Sequence, residues 1–319
     1  MNSDFNEGDY ILTVDGLFFA VKGSVHPDEL IIGILRYVPD PEGDRNIGDI
    51  TYSRVYDIGS TTEYLWKNHP KYINHIPRLG VELQSIPVDQ IISHFDPRNR
   101  ISSILENPRY GVDVVLTEFV KALNVPSTSI GVTGSLLIGA QNDDSDIDIN
   151  IYGLEDSQRA YEALKKIRET LDWVQPLEGD LFDSVLKSRW GDTGLPWDRF
   201  SGIESRKMLH GLVHGCEYFI RLLVPDDKYV SRPVKKATIK AVVTDDSGSI
   251  YNPCIYGVEP VNESHSITEL KSYRGKFTEQ VKTGDLVEAR GTIEEVTGPD
   301  GVFYRLMLGG SGDFLLPVA

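Results

Sequence analysis

The stretch Gly131 to Gly153, GVTGSLLIGAQNDDSDIDINIYG, decides the reading of this chain. The β-branched run Thr128 to Thr133 predicts a short buried strand that stops at Gly134-Ser135, and Leu136 to Ala140 predicts a short helix. Ser145 to Tyr152 alternates strictly and predicts a second strand. Alternate side chains of a strand share a face, so Asp146 and Asp148 point one way while Ile147 and Ile149 point into a core. Two carboxylates on one rigid face form a hard oxygen site of the kind Mg²⁺ prefers, its remaining positions filled by water and substrate phosphates. Backbone N–H groups at the turn from strand to helix attract phosphate, and glycine lets the backbone approach closely.

Three other readings of the same residues are weaker. Gly134 and Gly139 have the spacing of a P-loop, but Ala140 stands where that loop needs a lysine for the β- and γ-phosphates. Asp144, Asp146, Asp148 and Glu155 imitate a calcium loop, yet Ile149 occupies the position where the sharp turn needs glycine. A solvated acidic loop over Asp143 to Asp148 is the plain alternative, and the isoleucines interleaved with the acids argue against it. His210, His214 and Cys216 suggest a metal cluster, but Gly211 and Gly215 disfavour the helix that would align them, so ordinary residues of a Gly-rich turn are expected there.

Gly134-Ser135, then Gly139, Ser145 and Asp146-x-Asp148 within an apolar strand, resemble the nucleotidyltransferase superfamily of DNA polymerase β type, closest to its minimal and archaeal members. The similarity runs from Asp113 to Val224. It implies metal-assisted transfer of a nucleoside monophosphate from an NTP to an acceptor hydroxyl, with release of pyrophosphate and Mg²⁺ or Mn²⁺ as cofactor. Asp146 and Asp148 would bridge the metals. The superfamily's third carboxylate lies on a later strand; Glu217, in the apolar run Cys216 to Arg221, is the candidate, with Asp180 in reserve. The resemblance also implies that Gly134, Ser135 and Ser145 hold the nucleotide. Many minimal members carry an arginine where this chain has Ile138, so Arg206, Lys207 and Arg221 are the candidates to meet the triphosphate charge.

Outward from this segment, 319 residues with 40% hydrophobic and 25% charged side chains form a globular chain long enough for two or three domains. Thirty-two basic against forty-eight acidic residues give a net charge of −16, which disfavours general adhesion to DNA or to anionic membranes. Two cysteines, an acidic N-terminus without a signal-peptide pattern and no apolar run of ~18 residues predict a cytoplasmic protein that spans no membrane.

Residues 1–108 read as a strand-rich α+β domain. Asp15-Gly16 joins a hairpin of Tyr10 to Val14 and Leu17 to Val21. Strands follow at Leu30 to Val38 and Ile50 to Asp57, then a helix opened by a Ser60–Glu63 capping box, and helices over Pro87 to His94 and Asn99 to Leu105. Residues 109–232 read as the α/β nucleotidyltransferase unit, a short mixed sheet with helices over Asp113 to Leu123, Glu155 to Leu171, Asp180 to Trp190 and Glu204 to Leu209. Residues 233–319 alternate as strands with Gly and Asp turns, predicting a small OB-like β-barrel. Its Lys235, Lys236, Lys240, Lys271, Arg274 and Lys276, with Tyr251, Tyr256, Tyr273 and Tyr304, could bind single-stranded RNA. Nine basic and twelve acidic side chains in residues 235 to 319 favour a structural or dimerising role equally. A second functional class is therefore a catalytically inactive, nucleotide- or RNA-binding regulatory protein on the same fold. The acceptor (RNA, protein or small molecule) and homo-oligomer formation stay open.

Overall fold

The computed structural model describes residues 5–55, 57–142, 145–191, 193, 195–261 and 266–318, and its first sheet opens on the Asp15-Gly16 hairpin. Strands β1 (Tyr10–Thr13) and β2 (Phe18–Val21) pair across a turn in which Gly16 has φ 76°. The sheet continues through β3 (Leu30–Pro39), β4 (Arg45–Ile47) and β5 (Ile50–Arg54). Helix α1 (Ile58–Asn68) is followed by β6 (Ile73–Ile76), β7 (Val81–Pro87) and β8 (Ile91–Phe95). Strand order is β4-β5-β3-β2-β1-β8, with β7 joining β3 to β6.

Two expectations fail in this region. Asp57, not Ser60, caps α1: its carboxylate accepts the Ser60 amide N–H at 2.7 Å, so the helix starts earlier than a Ser60 box would have it. The segment predicted helical over Pro87 to His94 is a single 3₁₀ turn and then β8, because β1 takes Ile91–Phe95 as its partner, with Tyr10 opposite Phe95. An otherwise open sheet edge outweighs local helix propensity.

The sheet is apolar on both faces. Ile11, Phe19, Val21, Ile31 and Leu35 pack with Leu65 of α1, while Tyr10, Phe18, Ala20, Tyr37 and Tyr52 pack on Leu137, Ile138 and Ala140 of the next unit. Buried His26 braces the start of this region: Nε2 donates to Phe5 O and Nδ1 accepts from the Ile32 N–H, each at 3.2 Å, so a neutral ring uses both nitrogens. Burial pushes its pKa down to about 4. Between that value and ~6.5 the unfolded chain binds a proton that the folded chain refuses, so stability is lost as pH falls through this window, by at most about 3 kcal/mol. Urea midpoints should accordingly fall more between pH 6.5 and 4.5 in the wild type than in His26→Gln; equal slopes would contradict the assignment.

The central unit comprises α2 (Pro97–Glu106), α3 (Gly111–Leu123), β9 (Ile130–Val132), α4 (Gly134–Ile138), β10 (Ile147–Tyr152), α5 (Leu154–Thr170) and β11 (Val174–Gln175). It continues with α6 (Gly179–Trp190), α7 (Trp197–Glu204), β12 (His210–Val213) and β13 (Cys216–Leu223). Its strands run β11-β12-β13-β10-β9, with β10 parallel to β13 and antiparallel to β9. Ile147, Ile149 and Ile151 are fully buried against Leu116, Phe119 and Leu123 of α3 and Leu164 of α5. Ile101 and Ile104 of α2 join the same core, so this unit recruits residues ahead of position 109. The helix predicted over Glu204 to Leu209 instead ends at Glu204, having begun at Trp197 behind Pro196, and residues 205–209 turn into β12.

The last sheet holds β14 (Val230–Asp245), β16 (Cys254–Pro260), β17 (Ile267–Ser272), β18 (Leu286–Gly298), β19 (Gly301–Leu308) and β20 (Phe314–Pro317). Its order is β14-β16-β17-β19-β18-β20, and β14 also pairs with β18, so the ladder returns on itself. The β17–β19 pair is parallel and its neighbours antiparallel. The intervening short strand β15 (Tyr251–Asn252) crosses to the central sheet and pairs with β13. Glu279 adds a second tie, accepting the Tyr161 hydroxyl at 2.7 Å and the Met208 and Leu209 amides at 3.0 and 3.1 Å.

Several cations and tyrosines read from the sequence as an RNA surface are structural instead. Lys271 is fully buried and paired with Asp226 at 2.6 Å and with Asp227; Tyr273 donates to Asp226 and Tyr256 to Phe277 O. A buried lysine without such partners would be untenable, so this network clasps residues 226–227 onto the last sheet. Among the described residues no helix is long and apolar enough to cross a membrane.

Candidate active site

Strands β10 and β13 run side by side with Asp148 opposite Phe219 and Asn150 opposite Arg221. Since Ile147 and Ile149 share the core face with Tyr218 and Ile220, alternation leaves Asp148, Asn150, Glu217, Phe219 and Arg221 on the other face. Asp146 stands one residue before β10. The Asp148 charge is the main influence on it; with burial and Glu217 it pushes the Asp146 pKa up to about 6, against the pull of Arg54. Arg221 Nη1 lies 3.6 Å from Asp148 Oδ1, its guanidinium resting on the Phe219 ring.

The turn after β9 is built around this pair. The Thr133 amide donates to Asp148 O at 2.9 Å, and Gly134 follows with φ 66°. A Cβ at Gly134 would lie 2.5 Å from Asp148 Oδ2, so only glycine allows the carboxylate and the turn to approach so closely. Ser135 is 1% exposed and its Oγ has no hydrogen-bond partner among the described residues. Such orphaned hydroxyls are rare in native interiors and mark strain or a site built for a ligand.

Glu217 is held by a relay that the sequence did not reveal. Arg189 Nη2 donates to His210 Nδ1 at 2.6 Å, which leaves Nε2 to carry the ring proton and donate to Glu217 Oε1 at 2.6 Å. Burial, outweighing the Glu217 charge, lowers the His210 pKa and keeps the ring neutral in this role. Arg189 is itself anchored by Glu204. Among the described residues no group of three His, Cys, Asp or Glu side chains is close enough to hold a metal unaided.

The other residues singled out from the sequence fall as follows. Ser145 is buried and pins its loop, its Oγ accepting the Asn142 amide at 2.9 Å and donating to Asn142 Oδ1 at 3.1 Å. Lys207 is buried, bonded to Glu204 at 2.6 Å and to Lys276 O at 2.6 Å. Arg206 is exposed beyond α7, and Asp180 is exposed in the first turn of α6. His214 stacks on Trp173 and meets Glu118 at 2.8 Å, apart from the His210 relay. Asp143 and Asp144 lie outside the described residues.

The fourth wall comes from the N-terminal sheet. Thr133 Oγ1 donates to Gly8 O, and Asn150 Nδ2 donates to Glu7 O at 2.9 Å. Glu7 accepts Lys22 Nζ at 2.5 Å; burial works to raise its pKa, but Lys22 and Arg221 outweigh it and hold the carboxyl low. Lys22 is thereby tied to Glu7 beside the backbone of Gly8, and Arg54 of β5 works to lower the Asp146 pKa. Sequence reasoning missed both, since their placement arises from packing between distant segments.

The family model described as "Nucleotidyltransferase domain" matches residues 115–195, so this segment is a nucleotidyltransferase domain of polymerase-β-like type, with Asp146 just before β10 and Asp148 within it. That match takes in Gly134, Ser135, Asp146 and Asp148 and ends before Glu217. Over nearly its whole length the chain is similar to the uncharacterized protein MJ1086 of Methanocaldococcus jannaschii, 29% identical over 327 residues that cover 95% of this chain and 94% of that protein. No solved structure matches the chain.

Proposed function

We propose that the protein is a metal-dependent nucleotidyltransferase that moves a nucleoside monophosphate from an NTP to an acceptor hydroxyl, releasing pyrophosphate. The observation that carries this reading is the Asp146–Asp148 pair, in which the Asp148 charge raises the cost of ionising Asp146 beside a turn that only Gly134 permits. Such repulsion is relieved by a divalent cation, and the unpartnered Ser135 hydroxyl suits a phosphate oxygen. Mg²⁺ or Mn²⁺ held by Asp146, Asp148 and Glu217 would supply charge neutralisation at the phosphates and acidify the attacking hydroxyl.

The chain's own residues supply position and proton handling. Asp148 is aimed by Gly134 and Arg221, and Glu217 by His210, so the carboxylates need little reorganisation when the nucleotide enters. Glu217, whose second oxygen is not engaged by His210, is placed in this account to accept the proton of the attacking hydroxyl. The returning ladder with a parallel β17–β19 pair is best described as an OB-type barrel, and acceptor choice belongs to it or to the N-terminal sheet.

Incubation with each α-labelled NTP, Mg²⁺ or Mn²⁺ and cell extract from the source organism tests the proposal. Label should enter an acceptor with the wild type and not with Asp148→Asn; label transferred equally by that variant would refute the site.

A further inference from the structure

The connection between β17 and β18 carries residues 275–279 to the face of the central sheet that holds Glu217. Three contacts of this short segment converge on β12 and β13. Gly275 lies so close to the Phe219 ring that a Cβ there would stand 2.5 Å from Phe219 Cζ. Its backbone is outside the left-handed region, so glycine serves close approach here and not the turn. Lys276 O accepts Lys207 Nζ at 2.6 Å. The Glu279 carboxylate accepts the Met208 and Leu209 amides, which lead directly into His210 at the start of β12. Glu279 holds φ 55°, a conformation that residues other than glycine keep only where their surroundings impose it.

Each contact bears on Glu217 through ordered partners. Phe219 stands opposite His210 on β12 and opposite Asp148 on β10. Its ring meets the His210 ring edge-on at 5.5 Å and lies 5.8 Å from the Arg189 guanidinium and 4.8 Å from that of Arg221, so it cannot swing away from Gly275 without displacing them. Lys207 pairs with Glu204 at 2.6 Å, Glu204 with Arg189, and Arg189 donates to His210 Nδ1, whose Nε2 donates to Glu217. Glu204, Lys207 and His210 are all buried, where a charge that moves away from its partner is costly. We infer that residues 275–279 fix His210 as the positioning residue of Glu217, so that the third carboxylate of the site is set by the C-terminal sheet and holds metal well only while that sheet is seated. A carboxylate that must meet a metal without reorganising needs such a partner, and losing one typically costs about 10- to 100-fold in metal affinity. This inference rests on the proposed function and gives the C-terminal sheet a part in its chemistry.

The test follows water-proton relaxation of Mn²⁺ with inorganic tripolyphosphate, whose oxygens complete the coordination, as the full-length chain is added. Wild type should bind the complex and Asp148→Asn should not. His210→Phe keeps a ring but loses the bond to Glu217, and should weaken binding about 10-fold. His210→Gln, whose amide nitrogen can donate to Glu217, should recover most of that loss. Gly275→Ala should cause a loss of similar size in the wild-type background and little further loss in His210→Phe, because the two act along one route. Gly202→Ala adds a methyl to α7 that meets nothing within 4 Å, and should leave binding unchanged. Thermal melts establish that each variant is folded, and if Gly275→Ala is not, Glu279→Gln takes its place, loosening the hold on the Met208 and Leu209 amides without a change of shape. Additive losses from Gly275→Ala and His210→Phe, or folded variants that bind as the wild type does, would overturn this inference and leave the proposed function standing. A wild type that does not bind the Mn²⁺ complex would overturn both.

Discussion

Replacing Asp146 with Asn is expected to abolish nucleotidyl transfer while leaving the metal-free protein at least as stable as wild type. Asp146 meets the Asp148 charge, partial burial and Glu217, and its pKa stands at about 6 instead of the ordinary 3.8. Folding therefore forces together charges that repel. Above pH 6 the folded chain carries the full penalty of an ionised Asp146, whereas below ~4 neither state does, so stability falls as pH rises through this interval. The shift corresponds to at most about 3 kcal/mol, and the coupling to Asp148 and the remaining solvent access reduce it to about 1–2 kcal/mol. Asparagine removes the charge and keeps the shape. Melting at pH 7 without metal should rise by a few degrees in the variant, as ~1 kcal/mol implies for a domain of this size. Added Mg²⁺ should stabilise wild type but not the variant. Transfer should fall ~10³-fold, the scale on which losing several kcal/mol of transition-state charge stabilisation acts. A variant that melts below wild type in the absence of metal would contradict this account of the pair.

Gly134→Ala should produce the second largest loss, by a different route. The new methyl carbon would sit 2.5 Å from Asp148 Oδ2, and the residue would have to hold φ 66°. The backbone term is about 1 kcal/mol, the cost of placing an L side chain in the left-handed region. The larger effect is on Asp148, which must move aside and lose its alignment with Asp146; a displacement of ~1 Å at such a site costs ~10²-fold in rate. Gly48 separates the two contributions, since it has φ 60° with nothing within 4 Å of an added Cβ. Gly48→Ala should share the stability loss, read by urea denaturation, and keep the turnover. Equal turnover in both variants would show that Gly134 serves only the backbone.

The division between what the sequence made legible and what it did not follows the distance over which each feature is specified. The Gly134-Ser135 turn and the Asp146-x-Asp148 pair lie within fifteen residues, and strict alternation through Ile147, Ile149 and Ile151 assigns faces without any knowledge of the rest of the fold. Glu217 was legible as an acid in an apolar run, but its partner His210 was not, because the β12–β13 hairpin that sets them on one face depends on pairing His210 with Phe219. Lys207, a candidate phosphate ligand from its position, is a buried partner of Glu204, information carried by α7 and by the segment around Lys276. The seating of the N-terminal sheet on the central unit gave no local signal. Tyr10, Phe18, Tyr37 and Tyr52 pack on Leu137, Ile138 and Ala140, and an apolar stripe in a strand says that it is covered without saying by what. Strand β17 escaped notice for a related reason: its Lys271 reads as surface, and only Asp226 and Asp227 make its burial tolerable.

The central claim is that the α-phosphoryl group, with its nucleoside, is what moves. Parallel reactions with α-labelled and γ-labelled NTP in Mg²⁺ test it most directly, by following the acceptor fraction and the small-molecule products. The account predicts α label in the acceptor, γ label in pyrophosphate in equal amount, and neither product from Asp146→Asn. Transfer of γ label to the acceptor, or turnover undiminished in that variant, would contradict it.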